Sequence, residues 1–286
     1  MEKRVLGRTG VELSVVGFGG IVVCDTSPAE AGEHVGRAIE RGVNYFDVAP
    51  TYGNAEERLG PALAPYRDEV FLACKTGRRS AKEAEEELGG SLERLKTDHF
   101  DLYQFHGVSS VEEAEQILAP GGALEAFLAA RERGQIRLIG FSAHSDAAAV
   151  RLLEAFDFDS MLLPVNIFCW RDGNFARQAC EAARERGTGI LALKSLAKRP
   201  VREGEKKKWP KCWYVPIDTL PEATAALAFT LSRPVTAAVC PSHAELLWLA
   251  CDAADALERS PTEAAQAAEI TGEPIFRTPQ AAGSDS

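Results

Sequence analysis

The sequence predicts an α/β fold: a (β/α)8 barrel of the TIM type, with a short hairpin before it and an extended tail after it. Three observations lead there. Short apolar or β-branched runs alternate strictly with longer amphipathic stretches, and such alternation implies a parallel sheet with helices outside it. Eight of these units fit into about 260 residues, which suits a closed barrel better than an open sheet. An open doubly wound sheet would want Gly-x-Gly-x-x-Gly after its first strand; the chain reads Gly17-Phe18-Gly19-Gly20-Ile21-Val22 there.

The elements follow in order. Residues 3–6 and 11–15 flank Gly7-Arg8-Thr9-Gly10 and read as a hairpin. The strand candidates are 15–19, 43–48, 70–75, 100–105, 136–141, 160–165, 189–193 and 235–240. Helices are expected near 28–41, 54–65, 81–96, 121–134, 145–155, 172–187 and 218–232, with 243–257 after the last strand. Ser27 before Pro28, Ser80, Ser145 and Asp218 stand where helix caps belong. Gly42, Gly134 and Gly187 stand just past helix ends. A connection over 195–217 is long enough to suggest a lid or binding segment. This gives one catalytic domain over 1–271 and an extended or disordered tail over 272–286, where Pro, Gly, Ser and Ala dominate.

Composition sets the outer bounds. The 286 residues are 45% hydrophobic, enough for one large core. Lys+Arg 32 against Asp+Glu 42 gives a net charge of −10, which argues against a nucleic-acid partner. No apolar run reaches the ~18 residues of a membrane span, and the start of the chain lacks a signal-peptide pattern. The seven cysteines are scattered with no Cys-x-x-Cys pair, so they read as reduced thiols in a cytoplasmic protein, with no metal site.

The chemistry of such a barrel collects at the C-terminal ends of its strands. Asp47 ends the second strand, with Tyr52 five residues on; Lys75 ends the third; His106 follows the fourth. Ser142 and His144 follow the fifth, and Asn166 the sixth. Each alone has an ordinary structural reading, as a loop cap, a packed ring or a solvated strand end. Together they form a working set for a carbonyl, whose reduction needs a hydride at carbon and a proton at oxygen. A free tyrosine holds its proton to a pKa of about 10. An ammonium ~4 Å away stabilises the phenolate by about 4 kcal/mol at an effective dielectric near 20, before desolvation costs. Lys75 is therefore expected to lower the Tyr52 pKa, Asp47 to hold Lys75 charged, and His106 to set the angle of the substrate oxygen.

These residues lie in segments that resemble the aldo-keto reductase superfamily. Phe46-Asp47-Val48-Ala49-Pro50-Thr51-Tyr52-Gly53-Asn54-Ala55-Glu56-Glu57-Arg58-Leu59-Gly60 resembles its signature segment. Cys74-Lys75-Thr76, Asp98 through His106, and Ile136 through Ser142 are similar to its lysine, histidine and fifth-strand segments. Leu6-Gly7-Arg8-Thr9-Gly10 through Gly17-Phe18-Gly19-Gly20 also fits, so the resemblance spans roughly 3–257.

The resemblance implies a catalytic tetrad of Asp47, Tyr52, Lys75 and His106. It also implies a nicotinamide dinucleotide lying across the rim, NADP(H) favoured and NAD(H) possible. Gly19, Gly20, Asp47, Ser142, Asn166, Leu193, Lys194, Ser242 and His243 are the expected cofactor contacts. Several of them depart from the family pattern: Ala143 replaces the usual Asn, Asn166 stands near the usual Gln, and Leu193 replaces a stacking Tyr. The stretch Cys240 to Trp248 carries neither Lys nor Arg for a 2′-phosphate, though Ser242, His243 and a helix N-terminus remain. Lys194 is a candidate for the diphosphate, and Lys206-Lys207-Lys208 a further source of charge.

Trp170, Trp209, Trp213 and Tyr214 are the expected substrate-pocket lining, for a small-molecule carbonyl substrate. A catalytically weak cofactor-binding or regulatory homologue is the alternative. An iron–sulfur enzyme is disfavoured because no cysteine follows Cys251. Oligomeric state, monomer or dimer, stays open.

Overall fold

A computed structural model describes residues 1–259 and 270–279. In chain order, the hairpin is β1 (Lys3–Val5) and β2 (Glu12–Ser14), followed by β3 (Val16–Gly19), α1 (Pro28–Glu40), β4 (Tyr45–Asp47) and α2 (Ala55–Leu63). Next come β5 (Phe71–Thr76), α3 (Ala81–Leu95), β6 (Phe100–Val108), α4 (Val111–Leu118), α5 (Ala123–Glu132), β7 (Ile136–Ala143) and α6 (Asp146–Ala155). The chain continues through β8 (Ser160–Pro164), α7 (Ile167–Arg171), α8 (Arg177–Glu185), β9 (Gly189–Leu193), β10 (Ala197–Pro200) and β11 (Tyr214–Pro216). It ends on α9 (Leu220–Leu231), β12 (Ala237–Val239) and α10 (Ala244–Arg259).

β3 to β9 pair in parallel, each with the next, and β12 pairs with both β9 and β3. The ring is therefore closed, and the (β/α)8 expectation holds. Two apolar cores result. One fills the barrel, where Tyr45, Phe71, Leu102, Leu162 and Leu191 point inward, and Leu6 and Leu13 of the hairpin plug its floor. The other lies between the strands and the helices. Among the described residues no helix is long and apolar enough to cross a membrane.

The local signals act largely as their chemistry requires. Ser27 and Glu30 form a reciprocal capping box, and Ser80 and Ser145 accept the expected backbone N–H groups. Gly42, Gly134 and Gly187 have φ of 82°, 77° and 67°, the left-handed turn that ends a helix. Asp218 does not cap α9: Thr219 holds that position, and the Asp218 carboxylate accepts from Lys208 Nζ at 2.6 Å and Trp209 Nε1 at 3.1 Å. A loop cation and an indole outcompete the helix end for it. The helix expected from residue 172 begins at Arg177, because Asn174 and Ala176 take φ of 48° and 72°. α4 and α7 were not anticipated. Ser110 caps α4, its side chain accepting the Glu113 N–H.

The long connection is not structureless. β10 and β11 pair antiparallel, and the segment between them reaches back over the barrel mouth. Residues 270–279 lie extended on the same end, where Thr278 Oγ1 donates to Asp146 at 2.6 Å and Phe276 packs on Phe175. Residues 280–286 of the expected tail fall outside the described residues.

One close contact fixes the helix that follows Tyr52. A Cβ on Gly60 of α2 would come within 2.6 Å of the Arg94 carbonyl and 2.7 Å of Leu95 Cα. These are backbone atoms and cannot swing aside. Gly60→Ala is expected to destabilise the protein by about 1–3 kcal/mol, read from urea unfolding followed by tryptophan fluorescence. An unshifted midpoint would mean that α2 can move off α3 at no cost.

Candidate active site

Asp47 is the last residue of β4 and Lys75 the fifth of β5, so both arrive at the C-terminal end of the barrel, each 1% exposed. Lys75 Nζ donates to Asp47 Oδ1 and, at 3.2 Å, to the Val48 carbonyl. The other carboxylate oxygen accepts from Tyr45 Oη at 3.1 Å and Gln104 Nε2 at 3.0 Å. Tyr45 and Gln104 were missed by the sequence reading. The available signal was period two: each sits two residues before a rim residue, Asp47 or His106, and so shares its inward face.

Burial alone would strip the Lys75 ammonium of its proton, but the charge of Asp47, with that of Tyr52, outweighs it and raises the pKa. Lys75 therefore stays charged.

Tyr52 stands in the turn after β4, which Gly53 closes with φ of 58°. Lys75 Nζ lies 5.4 Å from the Tyr52 ring centroid. The expectation that Lys75 lowers the Tyr52 pKa holds for its own contribution only. Burial raises the hydroxyl first, Asp47 adds to that, and the net direction is upward. Tyr52 is thus a phenol that keeps its proton at neutral pH.

His106 meets Tyr52 edge-on, ring centroids 5.7 Å apart, and its Nδ1 is 3.4 Å from Thr51 Oγ1. Burial, with the nearby charge of Lys75, pushes its pKa down to about 3, so the ring is neutral. The four residues expected to act together are brought together.

They line a cavity of about 240 Å³ with Gly19, Ser142, Leu193, Lys194 and Ser242. Ser142 Oγ accepts the Gly107 N–H at 2.7 Å. A Cβ on Gly19 would come within 3.0 Å of the Cys240 carbonyl, so the bare backbone keeps that wall open. Trp213 and Tyr214 also line the cavity, as expected of the long connection.

Five expected residues are not on this wall. Gly20 backs onto Val48, where a Cβ would meet Cγ2 at 2.7 Å. Asn166 spends its side chain on structure: Oδ1 accepts Cys169 N–H at 2.9 Å, and Nδ2 donates to the Lys194 carbonyl at 3.2 Å. His243 Nε2 accepts the Lys211 N–H at 3.2 Å, with Trp209 against its ring. Trp209 is held to Asp218, and Trp170 lies against Arg177 and Arg233. A helix cap, hydrogen bonds and cation–aromatic contacts, some local and some distant, claim the four side chains.

Of the 206–208 run, Lys208 pairs with Asp218 and all three residues are exposed. A different lysine of that connection reaches the cavity. Lys211 Nζ donates to the carbonyls of Cys24, Val22 and Ile21 at 2.5, 3.2 and 3.5 Å, fastening the connection to the segment after β3. The cavity wall therefore carries Lys75, Lys194 and Lys211 against the single carboxylate of Asp47.

With this geometry in view, likeness to known proteins is informative. A model of the aldo/keto reductase family matches residues 16–247. The uncharacterized oxidoreductase YqkF of Bacillus subtilis is 31% identical over 182 residues, 59% of this chain and 57% of that protein. L-galactose dehydrogenase of Arabidopsis thaliana is 32% identical over 157 residues, covering 50% of this chain and 48% of that protein. The chain thus spans about half the length of the curated relatives it matches. Among solved structures, the holo form of aldo-keto reductase AKR11C1 from Bacillus halodurans superposes with a TM-score of 0.74 at 25% identity, covering 96% of this chain and 98% of that one.

The two pocket histidines have a consequence for stability. His144 is held down to about 4 by burial and by Lys194, and His106 to about 3. In the unfolded chain both take up protons below about pH 6.5, whereas in the folded protein they stay neutral until far lower pH. The unfolded state then binds more protons, so stability falls as pH drops through this window, by at most ~1.4 kcal/mol per histidine per pH unit. Urea midpoints between about pH 7 and 5 should fall, and fall less for His144→Gln, which cannot protonate. Equal slopes for the two proteins would refute a neutral His144.

Proposed function

The chain belongs to the aldo/keto reductase family, and from that premise we propose that it reduces an aldehyde or ketone to an alcohol with a nicotinamide dinucleotide. The observation that carries the reading is the fixed set Asp47, Lys75, Tyr52 and His106 on one wall of the cavity.

The bound dihydronicotinamide would supply the hydride. The residues present suit such a dinucleotide. A glycine wall at Gly19, the apolar Leu193 and the hydroxyls of Ser142 and Ser242 surround the space. An anionic ligand is favoured there in spite of the acidic whole.

Tyr52 is the proton donor. Its raised pKa keeps it protonated, and the Lys75 ammonium stabilises the phenolate that forms when the proton leaves. Asp47, saturated by donors from three directions, keeps Lys75 charged and in place. Neutral His106 offers a hydrogen bond to the carbonyl oxygen without competing as an acid. The seven free cysteines accord with a cytoplasmic setting, which is part of the same proposal.

Tyr52→Phe should lower carbonyl reduction by at least ~100-fold while leaving cofactor affinity little changed. Wild-type NAD(P)H oxidation with a panel of aldehydes is the companion measurement. Near-normal turnover in the variant sinks the assignment of the acid, and no turnover of any aldehyde by the wild type favours the weak-homologue alternative.

Cofactor choice follows from the rim. The Cys240–Trp248 stretch has no Lys or Arg, and the Lys211 ammonium is committed to three carbonyls. Without a dedicated bidentate cation, NADP(H) should be favoured over NAD(H) by less than about tenfold, or ~1.4 kcal/mol, and the margin should shrink with salt. Fluorescence titration of both reduced cofactors at two ionic strengths decides this. A preference of a hundredfold or more, about 2.7 kcal/mol, that survives salt would contradict it.

A further inference from the structure

Lys194 is a cation with no anion. It follows β9 in the left-handed conformation, φ 58°, which side chains rarely adopt. Its carbonyl holds that turn by accepting from Asn166 Nδ2 at 3.2 Å and from the Ala197 N–H at 2.9 Å. The turn directs the ammonium across the cavity to His144 Nε2, at 3.4 Å. Trp213 and Phe276 stand beside it, ring centroids 5.8 and 5.7 Å from Nζ, and Phe276 stacks on His144 at 4.9 Å. Among the described residues no carboxylate lies within ion-pair distance of it.

The other two lysines of the cavity are accounted for. Lys75 is matched by Asp47, and Lys211 by backbone oxygens. The partner of Lys194 is a neutral imidazole, so its charge is uncompensated. Burial, together with the like charge of Lys75, brings its pKa down to about 8. A partly buried ammonium kept without a counter-ion carries a cost, and an incoming anion recovers part of it. Strain, partial burial and missing charge thus converge on one position.

The position also indicates which ligand would bring the anion. Lys194 Nζ lies on the side of His144 and His106, whose own pKa values its charge depresses. Gly19, Cys240 and Ser242 line the wall at the ends of β3 and β12, and β12 also borders β9, the strand that leads into Lys194. One ammonium beside aromatic faces suits a flat monoanion better than a phosphate dianion, which would call for several donors.

We propose that Lys194, backed by His144 and flanked by Trp213 and Phe276, is a subsite for a carboxylate on the substrate, so that the preferred carbonyl compounds are aldehydes or ketones bearing a carboxylate. This rests on the carbonyl-reduction reading above and narrows it to a substrate class.

The test uses pairs that differ only in charge: 3- and 4-formylbenzoate against their methyl esters, with wild type, Lys194→Met and Lys194→Arg. The wild type should prefer at least one acid over its ester in kcat/KM by about tenfold or more, Lys194→Met should lose that preference, and Lys194→Arg should retain part of it. An unchanged acid-to-ester ratio in Lys194→Met overturns the proposal. So does a weakened affinity for the reduced cofactor with both substrates affected alike, which would assign Lys194 to the dinucleotide.

A binding arm separates this proposal from the reaction itself. Calorimetric titration of the unreactive 4-(hydroxymethyl)benzoate and its 3-isomer should show binding to wild type that weakens about tenfold or more in Lys194→Met. Binding without turnover of any aldehyde would leave the subsite standing and remove the reductase reading. No Lys194-dependent binding of either isomer would remove the subsite.

Discussion

An ammonium and a carboxylate buried together near the barrel axis are the constraint around which the rest of the mouth is arranged. Lys75 and Asp47 are each 1% exposed, and either alone would carry a penalty of several kcal/mol. They therefore have to arrive together, which ties the register of the sheet to the charge of the site. Asp47 lies opposite Ala73, and Lys75 opposite Gln104. Because side chains alternate from face to face, a slip of one residue in β4 or β5 would turn one member of the pair outward. The same register places Gln104 and Tyr45 on the second oxygen of Asp47. The inward layer below them, Phe71, Leu102 and Leu162, is wholly apolar, so the carboxylate has no other place to find donors on that side.

What the sequence made legible is what local chemistry determines. Alternation of apolar and amphipathic stretches gave all eight barrel strands, and serine caps with glycine stops gave most helix ends. Asp47, Lys75 and His106 could be placed together because each stands at a strand end on a common rim. The failures come from competing partners, some a few residues away and some far along the chain. Asn166 had the right composition for a ligand contact but is consumed by a helix cap and by the carbonyl of residue 194. Trp170 and Trp209 are aromatic enough for a pocket but are drawn off by Arg233 and Asp218. Lys211, among three consecutive lysines and several aromatics, had no local sign that it alone would reach inward. The net direction of the Tyr52 pKa was likewise illegible, because it depends on burial that only the assembled loops provide.

The protein separates its charges. It is acidic as a whole, at −10, yet its cavity carries three lysines and one carboxylate. Surface carboxylates several Debye lengths from a site are screened, whereas charges inside a poorly solvated cavity are not. The ammonium groups therefore govern their neighbours. Both pocket histidines are neutral, and His106 feels Lys75, Lys194 and Arg79 together. Imidazoles held in that state can donate or accept hydrogen bonds without carrying charge, and the phenol of Tyr52 beside them keeps its proton.

The closed ring also divides the site along the chain. Asp47, Tyr52, Lys75 and His106 all come from the first four barrel strands, while Lys194, Trp213 and Ser242 come from the last third of the sequence. The ring closes when β12, a strand of three residues, seats Val239 opposite Gly17 at the other end of the barrel sequence. During synthesis Asp47, Tyr52, Lys75 and His106 are thus made long before the later walls of the cavity. Closure of that last, short strand is a contact between nearly opposite ends of the polypeptide, the kind of pairing that is slow because most of the chain must be ordered first. The cavity that holds Asp47 and Lys75 is therefore completed by the last strand of the ring.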